Sequence, residues 1–152
     1  MGYRTGMDYS SSGVRWLRVL GAALAVIALS FLVLTAIITI YAVVLAFRAR
    51  GAPDQNAINH FAARVSPKLL PWLEMLLTLI VALRVARRAG MASIMHGFFI
   101  GILAGLLSLA VTLAFGGRLG ALNLLFFLIV VGLGWLGGFV GQKGRVRHGV
   151  VA

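Results

Sequence analysis

From Val19 to Phe47 the chain carries no Asp, Glu, Lys, Arg or His. As a helix rising about 1.5 Å per residue the run is roughly 43 Å long, against a bilayer hydrocarbon core of about 30 Å. Lipid is the solvent that suits such a segment, and the excess length predicts that it tilts or projects beyond the membrane. A secretory signal peptide has an apolar region of only about 7–15 residues. The run therefore reads as an uncleaved first span, with Arg15 and Arg18 before it and Trp16 as an interface anchor.

The rest of the chain has the same character. Hydrophobic residues make up 61% and charged residues 11%, whereas soluble domains average about 25% charged. So few charged groups cannot cover a folded surface in water. The expected fold class is all-α: a polytopic membrane protein with four transmembrane helices and a short interfacial helix.

Apolar runs separated by polar breaks give the layout. Residues 1–14 read as a disordered cytoplasmic tail; Gly6 stands where a myristoylation pattern requires Ser or Thr. The transmembrane domain covers 15–141, with spans at about 16–47, 69–86, 92–115 and 119–140. A basic cytoplasmic tail follows at 142–152. Between the first two spans, Ala57, Ile58, Phe61, Ala62 and Val65 recur at helical spacing. This pattern fits a short amphipathic helix in the interface, with a polar loop as the alternative. Pro67 and Pro71 bracket the start of the second span, where a missing N–H costs least. The Gly116-Gly117-Arg118 turn is so short that the last two spans form an antiparallel hairpin. The layout is similar to that of many small four-span bacterial membrane proteins, a likeness that assigns no residue a role.

The net charge is +11, from 14 basic and 3 acidic residues. The cations sit at the ends of apolar runs, which points to lipid headgroups and not to nucleic acid. With four spans, nine basic residues fall on the side of the termini and five on the other. Both termini are thus expected in the cytoplasm, most simply of a bacterial cytoplasmic membrane. There is no cysteine, which excludes disulfides, thiolate metal sites and cysteine nucleophiles. Three scattered histidines, His60, His96 and His148, do not make a metal site. His96 reads as an interfacial residue. No catalytic residue, cofactor or metal is predicted.

The strongest local pattern is glycine. Gly97, Gly101 and Gly105 repeat every four residues in the third span, while the fourth carries Gly134, Gly137, Gly138 and Gly141. Residues four apart share a helix face, and bare faces let backbones approach closely in lipid. These seven glycines are the predicted helix-packing residues, either within the hairpin or against another chain.

Glu74 is the one acidic residue in a span, placed near the outer face with Arg118 and Asn123 at the same level. The three form the candidate polar site; an ionisable group inside a bilayer is a functional candidate by default. The third and fourth spans contain no carboxylate, which excludes a rotary-ring hairpin. The sequence-based expectation is a non-enzymatic membrane protein that works by helix–helix association. It would be an accessory subunit or homo-oligomeric scaffold with a membrane-complex partner. The alternative is a small channel, transporter or holin-like pore with Glu74 at its mouth.

Overall fold

The computed structural model describes residues 16–88 and 93–147. The tail at 1–14, the connection at 89–92 and His148 lie outside the described residues. Four helices follow one another: α1 (Trp16–Ala49), α2 (Gln55–Arg88), α3 (Ser93–Ala114) and α4 (Ala121–Arg147). All four contain segments long and apolar enough to cross a membrane.

Local chemistry sets the helix ends. After α1, Arg50 adopts a left-handed φ of 51°. Its N–H reaches the Phe47 carbonyl and the Gly51 N–H reaches the Ala46 carbonyl, both at 3.4 Å. That is a Schellman cap with arginine where glycine is usual. α3 closes with the same motif and the favoured residue. Gly116 has φ 74°, and the N–H groups of Gly116 and Gly117 reach Leu113 and Thr112 at 3.0 and 2.9 Å. The comparison predicts that Arg50→Gly raises stability by about 1 kcal/mol, since glycine avoids the left-handed penalty. Thermal unfolding in detergent measures it, and a loss of stability would contradict it. At the start of α2, Asp54 Oδ1 accepts the Asn56 N–H at 2.9 Å, an N-cap.

The predicted interfacial helix is not a separate element. Its residues form the first turns of α2, which runs unbroken through Pro67 and Pro71. Each proline removes one backbone donor and leaves the carbonyls of Ala63 and Pro67 without their usual i+4 partner. Packing fixes the turns that precede the prolines against α1. Phe61 stacks on Tyr41 of α1, with ring centroids 3.9 Å apart. α4 also continues to Arg147, past the end expected for the fourth span. Lys143 lies 4.5 Å from the Phe139 ring centroid, and its charge near the C-terminal end favours the helix dipole.

α1 packs on α2 and α3, and α4 packs on α2 and α3. The core holds Ala23 and Val26 of α1, Met75 of α2, Ala104 of α3 and Val130 of α4. Glycines decide how closely α4 approaches its neighbours. A methyl group at Gly101 would lie 2.9 Å from the Val130 carbonyl oxygen and 2.9 Å from Val131 Cα. One at Gly134 would lie 2.8 Å from Gly101 Cα, and one at Gly97 would lie 2.8 Å from Gly138 Cα. Gly105 faces the Phe127 ring. The other glycine face of α4 meets α2: a methyl at Gly137 or Gly141 would lie 2.8 or 2.6 Å from the Cβ of Ala82 or Ala86. All seven predicted packing glycines therefore contact partners within the chain.

Gly132 has open space around it. Mid-helix glycine costs up to about 1 kcal/mol relative to alanine. Gly132→Ala is thus expected to be neutral or to stabilise by up to about 1 kcal/mol, again read by thermal unfolding. A clear destabilisation would mean that the exposed face of α4 is occupied.

Candidate functional site

Glu74 sits on the α2 face that packs inward, and it is 6% exposed. The Ser108 hydroxyl of α3 donates to Glu74 Oε2 at 2.7 Å. This is the polar contact of the carboxyl group among the described residues. One turn up α3, Thr112 Oγ1 donates to the Ser108 backbone carbonyl at 2.9 Å. Such back-bonding satisfies a hydroxyl inside a helix. One turn along α2 from Glu74, Thr78 is fully buried and its Oγ1 has no hydrogen-bond partner among the described residues.

Beside the carboxyl group lies a cavity of about 200 Å³ between α2, α3 and α4. Its polar lining comes from Glu74, Ser108, Thr112 and Asn123. Pro67, Pro71, Phe126 and Phe127 supply much of the apolar wall. From Ser108 to the end of α3 at Ala114 is about 9 Å along the helix. The cavity thus belongs to the half of the bundle nearest the Gly116–Arg118 turn.

The candidate polar site is only partly assembled. Glu74 and Asn123 line the same cavity. Arg118 is exposed on the turn and lies outside the lining. Its backbone carbonyl, not its guanidinium, is what the Asn123 amide nitrogen meets, at 3.1 Å. The reason is positional: the α3 cap turns the chain outward at Gly116–Gly117, which places Arg118 beyond the helix ends. Ser108, the group that contacts Glu74, extends the glycine stripe of α3, three residues past Gly105. The signal that could have found it is its hydroxyl on the stripe of α3 that also carries Gly101 and Gly105. His96 lies in the first turn of α3 and is buried at 3% exposure. Among the described residues no group of three or more His, Asp or Glu is placed to hold a metal ion.

The Ser108 contact has an energetic consequence. With Ser108→Ala the buried carboxyl group loses its donor, a change worth about 2 kcal/mol for a hydrogen bond to an ionisable group. The variant should unfold at correspondingly lower temperature or denaturant, and Ser108→Thr should restore much of the loss. Equal stability of Ser108→Ala and the parent chain would mean that this bond is not formed in lipid.

The fold and the cavity together define a four-helix membrane bundle with a buried carboxyl group beside a small, partly open cavity. Compared with protein-family models, curated proteins and solved structures, the chain matches none.

Proposed function

We propose that this chain is a small non-enzymatic membrane protein that binds a small solute in the Glu74 cavity and passes it through the bilayer, as a channel or carrier does. The observation that carries the reading is a carboxyl group 6% exposed, held by Ser108 beside a cavity of about 200 Å³. Ionisable groups inside membranes are costly, and where they line an internal space they mark solute pathways. The glycine faces, which would otherwise support association with another chain, are taken up by α2, α3 and α4 themselves. Exposed apolar side chains on every helix support a lipid environment. The basic residues weighted to the side of the termini support cytoplasmic ends in a bacterial cytoplasmic membrane. Reconstitution in proteoliposomes tests the reading: solute flux should exceed that of empty vesicles and fall at least tenfold in Glu74→Gln. Flux that is equal in the two proteins would overturn it.

One observation favours association as a second reading. α1 buries nothing beyond Leu34, which leaves Ile40, Val43, Val44 and Phe47 exposed. Measured from the Glu74–Ser108 contact, α2 runs back about 28 Å to Gln55, whereas α3 continues only about 9 Å. The α1–α2 hairpin thus reaches roughly 20 Å past the other pair, with its α1 side apolar. An accessory subunit or homo-oligomer that uses this surface would appear as a stable complex in native mass spectrometry from lipid. A bare monomer would dismiss it.

A further inference from the structure

We infer that the ligand of the Glu74 cavity is a small organic cation that donates hydrogen bonds: a protonated amine on a compact apolar body. The inference rests on the proposed role of the cavity and names the class of solute.

The bonding inventory of the cavity carries it. Two of the lining polar groups are hydroxyls, and both of their protons are spent inside the protein. Ser108 donates to Glu74 at 2.7 Å and Thr112 donates to the Ser108 carbonyl at 2.9 Å. The Asn123 amide group donates one of its two N–H bonds to the Arg118 carbonyl at 3.1 Å. When Glu74 is ionised, what remains is one Asn123 N–H and a larger set of acceptors: the second carboxyl oxygen of Glu74, lone pairs of the two hydroxyls and the Asn123 carbonyl oxygen. Pro67 lines the cavity, and its carbonyl lacks an i+4 donor because Pro71 has no N–H. A ligand that only accepts hydrogen bonds would find few donors here, whereas one that donates would find several partners.

Charge points the same way. The lining contains one carboxyl group and no Lys, Arg or His. The chain's net charge of +11 is therefore excluded from this space. An anion would meet Glu74 with no compensating cation, and like charges in a low-dielectric site repel strongly. A cation would supply the partner that the fold withholds. Phe126 and Phe127 in the wall offer ring faces that attract cations when desolvated.

Size limits the apolar body. An apolar cavity of about 150 Å³ accepts benzene. At about 200 Å³ this one has room for a single ring or a short branched chain carrying an amine.

The test is calorimetric titration of the full chain in lipid nanodiscs at neutral pH with four probes of one shape. These are benzylamine, benzyltrimethylammonium, benzyl alcohol and benzoate. Protein-free nanodiscs subtract partitioning into lipid, and the unfolding midpoint of Glu74→Gln verifies that the variant is folded. Benzylamine should bind at least tenfold more tightly than the other three and lose at least tenfold in Glu74→Gln. Benzyl alcohol or benzoate binding as well as benzylamine would overturn the cation class while leaving the cavity a binding site. Equal binding of benzyltrimethylammonium would overturn the hydrogen-bond-donor requirement. The comparison among probes on the parent protein needs no variant. Absence of binding by all four, together with absence of flux in proteoliposomes, would bring down the proposed function itself.

Discussion

Gly101→Leu is expected to destabilise the bundle by about 3 kcal/mol or more, the upper part of the range for overpacking. At this position even a methyl group meets the Val130 carbonyl oxygen and Val131 Cα, each at 2.9 Å. Both contacts are backbone, so no rotamer change relieves them. Leucine would force α3 away from α4 along the seam that Gly97 and Gly134 share. Because packing, not a hydrophobic force, holds helices together in lipid, a wider seam loses the contacts that define it. Gly132→Leu is the matched control, since nothing lies within 4 Å of a methyl built there. Thermal or denaturant unfolding in detergent should separate the two variants clearly. If both unfolded like the parent chain, the α3–α4 seam would not exist as described.

The second large effect is functional. Glu74→Gln should lower solute uptake at least tenfold while the protein still unfolds cooperatively, with a smaller loss of stability than Gly101→Leu causes. Glutamine matches glutamate in shape and offers an oxygen to the Ser108 hydroxyl, so packing and the hydrogen bond at 2.7 Å can persist. What disappears is the capacity to carry a negative charge. A tenfold loss corresponds to about 1.4 kcal/mol, modest for a charge contact away from bulk water. Glu74→Asp keeps the charge but withdraws it by one methylene, and an intermediate uptake is expected. A variant pair in which Gln transports normally and Asp does not would assign Glu74 a packing role.

Much of the fold was legible because lipid imposes simple rules. Run length alone located four spans, and the Gly116-Gly117 pair announced the cap that closes α3. The glycine spacing in α3 and α4 identified the faces that meet. It did not identify the neighbour of each face. Gly137 and Gly141 pack on Ala82 and Ala86 of α2, a pairing that depends on three-dimensional register. The length of α2 was hidden for a different reason. Two prolines read locally as a helix start, while the Tyr41–Phe61 stack that fixes the preceding turns against α1 is a long-range contact. At the candidate site, burial of one carboxylate could be suspected from its position, but its partner could not. Charge suggested Arg118, whereas the outward turn at Gly116 leaves that side chain exposed and the register of α3 brings Ser108 to Glu74.

The cavity is a site, and not a sealed packing defect, if a small reagent reaches Glu74 in the folded chain. The direct measurement is peptide mass spectrometry after treating the protein in lipid nanodiscs with diisopropylcarbodiimide, which converts a reachable carboxyl group to an N-acylurea. Glu74 should be modified in the folded protein, under conditions where the bundle does not unfold. A Glu74 that stays unmodified until the bundle is unfolded would contradict the cavity as a binding site and leave the carboxyl group a purely structural partner of Ser108.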